Sequence, residues 1–301
     1  MSNRPMIKMY YISILLLIFP LGIQAQSIDE LMQRAYLHYT EKQYDLAKVD
    51  IDEAVASRKG IENPMAWHIR GFVYKDMFIN KDSMNRYSES RDIAVQSLQR
   101  SIFLDGEGKF YEMNQLALKY LATSYWNNAS EIINSPNIHT VGEATEYFEK
   151  FRAVYDQLNP DSSFVKRDVD FYLALATGNR RIYESDRSAN EDYWLQSNNY
   201  LKKVLELDPQ NFDANYSLGV SYYNKGAHSL EKLPEIEIFD LYRVQGESIR
   251  SIQGALPFMI KAYEINPDRI EAIKGLKWIH FNLHQYEESD KYNQQLNTLE
   301  K

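Results

Sequence analysis

Cysteine is absent from this chain of 301 residues, and glycine and proline are scarce, at 12 and 9 residues. Without cysteine the protein can form no disulfide and carry no lipid-modified cysteine, so its stability must come from packed side chains. The chain has few of the glycines and prolines that the many tight turns of a sheet protein commonly use. These absences exclude a disulfide-stapled domain and favour helices joined by short connections.

Positive charge is also in deficit. Lysine and arginine number 34 against 42 aspartates and glutamates, which gives a net charge of −8. Loss of residues 1–25, with Arg4 and Lys8, would make the remaining chain more acidic still. Because an acidic surface repels phosphate backbones and anionic lipids, we expect no nucleic-acid partner.

Long apolar runs are missing except at the N-terminus. Arg4 and Lys8 precede an uncharged run over residues 9–23, and Ala25 follows it. A basic start, an apolar centre and a small residue before a cut predict a signal peptide over residues 1–25. An uncleaved anchor is disfavoured because the run is shorter than the roughly 20 residues that span a bilayer. We therefore expect an exported, periplasmic protein with a mature domain over residues 26–301 and no membrane span after cleavage.

The clearest repeated pattern begins with Leu218, Gly219 and Tyr222, which share one face of a helix. A glycine on that face lets a second helix approach closely, and the tyrosine fills the space beside it. Gly226 falls at the expected end of the same helix, where we expect it to act through its backbone conformation. The pattern predicts the first helix of a closely packed pair.

A second helix follows with small residues at a spacing of seven. Ala255 and Ala262 lie on one stripe with Met259 between them, and Pro267 closes the segment. The residue before a proline avoids the α region, so the helix should end there. Weaker copies of both helices recur along the chain: Tyr44, Ala47, Ile51 and Ala54; Trp67, Gly71 and Tyr74; Ala94 and Leu98; Leu118, Leu121, Ala122 and Tyr125; Tyr172, Leu175 and Ala176; Leu201, Val204 and Pro209; Ile273 and Leu276, with Tyr286 to Leu296.

Together these positions resemble the tetratricopeptide repeat (TPR), with methionine at 259 in place of the usual aromatic residue. The run over residues 255–267 resembles exported tetratricopeptide proteins of Gram-negative bacteria. The resemblance covers about residues 27–300 and implies an all-α solenoid of about six helix pairs, of which the second, third and fourth are irregular. It is specific for the fold and not for a ligand.

Several pairs are longer than a bare repeat of about 34 residues. Extra residues fall between the first and second helix around 80–90, around 183–192 and, in the longest case, at about 227–250. The longest insertion alternates apolar and acidic residues. It can form a flap that packs back on the array or a longer helix with a solvated acidic face, and the sequence leaves both open.

Catalytic, cofactor-binding and metal-binding patterns do not emerge from the sequence. His280 and His284 have the spacing of two zinc ligands, but the intervening glutamate of a zinc protease and a third ligand are missing. Nucleophile elbows, phosphate loops and dinucleotide fingerprints are absent too. We predict no catalytic residue, no cofactor and no metal.

A partner-binding wall is the remaining candidate site. In tetratricopeptide arrays the first helices line the concave wall, and the lysine and asparagine set with which some cytosolic members clamp a C-terminal carboxylate is not reproduced here. Aromatic side chains interleaved with cations suit an extended peptide or a partner helix. The repeat phase assigns ten residues to this wall: His68, Phe72, Lys75, Lys119, Trp126, Arg180, Tyr216, Tyr223, Lys274 and Trp278.

The function predicted from these features is that of a non-catalytic scaffold or adaptor of the bacterial envelope, which binds a partner peptide or helix in its concave groove. The alternative is an enzyme, or a glycan- or peptide-binding protein, with its site under the 227–250 insertion, where His228, Glu235 and Asp240 are the candidate polar groups. The identity of the partner, homo-oligomerisation and association with the outer membrane through a partner stay open.

Overall fold

The computed structural model describes residues 27–160, 163–231 and 238–299, so the predicted signal peptide lies outside the described residues. Within those ranges the regular elements are twelve α-helices and one 3₁₀ turn (Gly60–Glu62), with no strand. The helices are α1 (Ile28–Thr40), α2 (Tyr44–Ala56), α3 (Pro64–Asn80), α4 (Glu89–Leu104), α5 (Tyr111–Asn134), α6 (Glu143–Leu158), α7 (Val165–Ser185), α8 (Glu191–Leu207), α9 (Phe212–Glu231), α10 (Ile238–Ile265), α11 (Ile270–Asn282) and α12 (Tyr286–Leu299).

Local signals explain where several helices begin. Ser27 and Glu30 form a reciprocal capping box at the start of α1. Asn63 accepts hydrogen bonds from two backbone N–H groups of α3, and Pro64 occupies the first helical position, where a missing N–H costs nothing. At the start of α4 the Ser88 hydroxyl oxygen accepts one hydrogen bond, from the Ser90 backbone N–H. Capping residues in the sequence thus determine where these three helices begin.

The twelve helices form six pairs. Each odd-numbered helix packs along the even-numbered helix that follows it, and further contacts join α1 to α3, α3 to α5, α5 to α7 and α9 to α11. Because α1, α3 and α5 approach one another more closely than the even-numbered helices do, the odd-numbered layer lies on the inside of the curve. The all-α solenoid of six helix pairs that the sequence predicts is confirmed.

Close contact between small and large residues holds the pairs together. A Cβ added to Gly219 would lie 2.8 Å from Met259 Cε, and one added to Gly275 would lie 2.6 Å from Met259 Sδ. Gly71 meets Leu98 in the same manner in the second pair. Met259 therefore packs against two glycines, one on α9 and one on α11. The contact with Gly219 is the close approach that the sequence predicts for this residue.

The expectation for Gly226 is wrong. This residue is buried within α9, where an added Cβ would lie 2.7 Å from the Ser248 carbonyl oxygen and 2.7 Å from Ile252 Cγ1. Gly226 therefore acts through close approach to α10, like Gly219, because α9 continues through Glu231 and does not end near position 226.

The insertions lengthen helices and turns. Residues 81–88 and 186–190 form turns between paired helices, while residues 227–231 end α9 and residues 238–250 begin α10. The described part of the longest insertion is thus helical, as in the second of the two alternatives. Another lengthening, absent from the sequence reading, extends α5 through Asn134 and adds a connection over residues 135–142.

Aromatic rings replace close backbone approach between the third and fourth pairs. The backbones of α6 and α7 come less close than those of the other successive pairs. Phe148 on α6 stacks on Phe171 of α7 with ring centroids 3.6 Å apart, and Phe151 lies 5.8 Å from Phe164. We call these four residues the aromatic joint. Large rings fill the space between α6 and α7, whereas small residues allow helices to come close together elsewhere in the array.

Replacing Gly219 or Gly226 by leucine should overpack the α9–α10 contact and lower the free energy of unfolding by about 1–3 kcal/mol. Thermal and denaturant unfolding would measure the loss. Gly106→Leu serves as the control, because an added Cβ there meets no atom within 4 Å. Equal melting temperatures for Gly219→Leu and Gly106→Leu would show that the assigned contact is incorrect.

Candidate partner-binding grooves

Three grooves open on the odd-numbered layer. The central groove, of about 710 Å³, lies between α5 and the start of α7 with the end of α6 as its far wall. The N-terminal groove, of about 360 Å³, lies between α3 and α5, and the C-terminal groove, of about 280 Å³, lies between α9 and α11. All three follow seams between first helices, which is where the repeat phase places a ligand surface.

The central groove has a mixed wall on α5 and an apolar wall on α6. On the α5 wall the apolar Leu116 lies beside the polar Gln115 and Lys119. Tyr155 and Leu158 of α6 form the apolar wall. Leu116 is 70% exposed on this helix, although leucine is normally a core residue. The groove therefore combines an accessible apolar surface with hydrogen-bonding groups.

Two cations border the central groove without a carboxylate partner among the described residues. Arg167 at the start of α7 places its guanidinium carbon 4.5 Å from the Tyr155 ring centroid. Lys119 is exposed on the opposite wall. Glu112 lies two turns before Lys119 on α5 and gives the groove an acidic end.

The N-terminal groove is mainly apolar. Phe72 and Ile79 of α3 face Met113, Leu116 and Tyr120 of α5. Leu116 lines the central groove as well, so it forms a ridge between the two grooves. A single polypeptide segment could contact both grooves across this ridge.

The C-terminal groove is aromatic. Tyr216, Tyr223 and Trp278 line it together with Lys274. Asn282 donates a hydrogen bond of 3.0 Å to the Tyr223 hydroxyl, and burial raises the pKa of both tyrosines. Trp278 remains 47% exposed. Rigid rings with one exposed indole suit an anchor residue of a partner.

Seven of the ten residues predicted from the repeat phase line these grooves, and their role in binding stays a prediction. They divide as follows: Phe72 and Lys75 in the N-terminal groove, Lys119 in the central groove, and Tyr216, Tyr223, Lys274 and Trp278 in the C-terminal groove.

The other three predicted residues lie elsewhere. His68 Nδ1 donates to Asn114 Oδ1 at 2.7 Å, which ties α3 to α5. Trp126 packs 5.3 Å from the Phe151 ring, against the aromatic joint. Arg180 is exposed and pairs with Glu184 beside a small gap of about 30 Å³ between α7 and α9. Contacts within the fold therefore account for the positions of His68 and Trp126.

Among the groove residues that the sequence did not predict are Met113, Leu116, Tyr120, Tyr155 and Arg167. The first three recur at spacings of three and four on α5, the same spacing as core residues. The number of apolar residues on α5 could have revealed them, because it exceeds the number that a single buried stripe of the helix accommodates.

The alternative site, under the 227–250 insertion, is a smaller pocket of about 190 Å³. His228 lines it and lies 3.0 Å from an Arg187 guanidinium nitrogen. Asp240 does not line this pocket and pairs with Arg243 instead, and Glu235 lies outside the described residues. The described candidate groups are thus not brought together.

The two spaced histidines do not share a helix face. His280 lies in the last turn of α11 with its Nδ1 2.6 Å from Gln285 Oε1. His284 lies beyond the end of α11 with φ of 59°, and its Nδ1 is 2.8 Å from the Tyr286 hydroxyl. In the described ranges no group of three or more histidine, aspartate or glutamate residues is placed to hold a metal ion.

Comparison with known proteins gives fold likeness alone. No family model matches the chain, and no curated protein matches it. PilW, a widely conserved type IV pilus biogenesis factor, is 16% identical, with 91% of this chain and 93% of that one covered and a TM-score of 0.35. A TPR-repeats protein from Bacteroides fragilis NCTC 9343 is 13% identical, with 84% and 97% covered and a TM-score of 0.43. MamA is 18% identical, with 77% and 92% covered and a TM-score of 0.31.

Across the residues that the structure describes, none of the helices has the length and apolar character needed to cross a membrane.

Burial lowers the pKa of His68 below its usual 6.5. The folded protein therefore resists a proton that the unfolded chain accepts, so stability should fall as the pH drops below about 6.5. In His68→Gln this part of the pH dependence should vanish, because glutamine does not titrate, while its amide can still donate to Asn114 Oδ1. Chemical unfolding between pH 5 and 8 measures the effect, with the exposed His139→Gln as control. Parallel pH profiles of wild type and His68→Gln would contradict the assignment.

Proposed function

We propose that this tetratricopeptide-type protein is a non-catalytic scaffold of the bacterial cell envelope, which binds a partner polypeptide along its odd-numbered helices. The observation that carries the proposal is the set of exposed apolar and aromatic side chains in the grooves between those helices. Solenoids present long surfaces of this kind because each repeat contacts only its neighbours. The grooves carry the functional information, since the fold alone does not determine a function.

A polypeptide fits these grooves better than other ligands. The ridge formed by Leu116, flanked by Met113 and Tyr120, separates two grooves that a long ligand would cover at once. An extended segment or an amphipathic helix buries such a ridge and keeps its own polar groups in water. The net charge of −8 disfavours a nucleic acid.

The most perturbed titratable groups support a structural role for buried polar chemistry. Burial, followed by hydrogen bonds to Asp92 and Asp76, raises the pKa of Tyr125 and Tyr39 respectively. Tyr125 links α5 to α4, and Tyr39 links α1 to α3. Strongly shifted groups often mark catalytic sites, but these two connect successive helix pairs. This placement favours a scaffold over an enzyme.

Export is the second part of the proposal, and it rests on the sequence of residues 1–25. A protein without cysteine needs no oxidative folding, which suits any compartment, so the basic start and apolar run are the specific support. A partner in the periplasm or at the outer membrane would then be accessible to the grooves.

The mature protein should begin near Gln26 and fractionate with the periplasm. N-terminal sequencing or intact-mass measurement of protein recovered from cell fractions would test this. Protein in the membrane fraction that retains residues 1–23 would overturn the export proposal and leave the groove proposal untouched.

A photoreactive phenylalanine analogue at position 116 or 278 should crosslink in intact cells to a defined polypeptide. Matched controls at positions 103 and 195 replace exposed apolar residues on the even-numbered helices α4 and α8. Position 228 tests the insertion pocket. The captured polypeptide would be identified by mass spectrometry, and its capture from position 278 should be lost in Leu116→Asp. Crosslinks from 103, 195 or 228 but not from 116 or 278 would move the site away from the grooves.

A further inference from the structure

We infer that the central groove recognises a side-chain carboxylate set between apolar residues, held by Lys119 and Arg167. This inference rests on the proposed function and specifies the chemistry of the partner segment. The carboxylate would lie between the two cations, with one apolar side chain on Tyr155 and Leu158 and another on Leu116.

The charge arrangement is the first support. Cations at several helix seams are neutralised within the fold: Arg70 by Asp52, Lys150 by Asp92 and Arg152 by Asp168. Lys119 and Arg167 make no ion pair with the described residues, although acidic residues outnumber basic ones in the chain, 42 to 34. Two cations on one groove of an acidic protein, neither paired with a carboxylate of the described residues, favour an anionic group of the ligand.

The position of Arg167 is the second support. Its guanidinium carbon lies 4.5 Å from the Tyr155 ring centroid, 5.7 Å from that of Phe164 and 6.0 Å from that of Phe151. Contact with three rings restricts the side chain before a ligand arrives, so less entropy is lost on binding. The planar guanidinium can then donate two parallel hydrogen bonds to a carboxylate.

The apolar wall is the third support. Tyr155 and Leu158 face the groove next to Arg167, and Leu116 is exposed across from them. Apolar residues of a ligand would bury these side chains and exclude water around the ion pair, which strengthens charge-assisted hydrogen bonds. A free carboxylate without apolar neighbours would leave this surface uncovered.

Glu112 limits where the carboxylate can lie. It is seven residues before Lys119, so the two side chains are separated by about 10 Å along α5. A second carboxylate of the ligand at the Glu112 end would be repelled. The groove therefore has a polarity, with the acidic residue of the ligand at the Lys119 end.

A phage-displayed library of random 12-residue peptides, selected on protein purified from cells that express the whole chain, tests the inference. Selected sequences should contain an acidic residue flanked by apolar ones. A selected peptide would then be synthesised with a fluorophore, an acetylated N-terminus and an amidated C-terminus, so that the only carboxylates are those of side chains. Its affinity would be compared with that of its Glu→Gln or Asp→Asn derivative.

Wild-type protein should bind the acidic peptide about tenfold or more tightly than the amide derivative, the usual effect of a charge-assisted hydrogen bond. In the double variant Lys119→Gln and Arg167→Gln the two peptides should bind within about twofold of each other. Lys166→Gln with Lys202→Gln removes the same charge from exposed positions on α7 and α8 outside the groove, and it should retain the discrimination. Thermal melts would confirm that both double variants fold.

Equal binding of acidic and amide peptides by wild type would overturn the inference, as would equal loss of discrimination in the two double variants. Peptides that respond to Trp278→Ala but not to Leu116→Ala would overturn it as well, while the scaffold function would stand with its site in the C-terminal groove. Failure to select any peptide would count against both the inference and the proposed function.

Discussion

Close approach of helices at glycine is the constraint on which the array depends. Gly71, Gly219 and Gly275 each leave a gap that a large side chain of the facing helix fills, and this fixes the distance between the helices. Where the distance is fixed in this way, the odd-numbered helices form a close inner layer. The N-terminal and C-terminal grooves are the seams of that layer.

The central groove exists because the constraint is relaxed at one place. Between α6 and α7 the aromatic joint separates the backbones, with Phe148 stacked on Phe171. The rings fill the inner part of the gap and leave its mouth open between α5 and the start of α7. The central groove and the repeat junction with the more widely separated backbones therefore have the same origin.

Buried polar groups fix the order in which the pairs stack. Arg91 is 1% exposed, and it donates to Asn128 Oδ1 at 2.6 Å and to the Arg86 carbonyl oxygen at 2.9 Å. Its guanidinium carbon also lies 4.1 Å from the Tyr125 ring centroid. A buried cation of this kind contributes little net stability, but a misaligned pair would leave it unsatisfied. It thereby specifies the register between the second and third pairs.

The sequence predicted the helix pairs well because small residues, tyrosines and prolines recur at positions that the packing requires. It did not locate a repeat pattern for α6, because Phe151 follows Ala144 by seven residues, where the second helix of the clearest pair has the small Ala262. Trp126 was assigned to the concave wall from its phase, yet the rings of α6 and α7 pack against it. Leu116 was missed for the opposite reason, since spacing on a helix does not show whether a neighbouring helix covers a residue. Arg167 lies in the first turn of α7, outside the repeated positions.

Met259 belongs to two helix contacts at once, because Gly219 on α9 and Gly275 on α11 both lie against its side chain. Its unbranched thioether adapts to both surfaces, which a flat aromatic ring in that position could not do without displacing one helix. Substitutions at these three positions are therefore coupled. A larger residue at 219 or 275 is tolerated only with a smaller one at 259, so substitutions there should arise together among descendants of this chain.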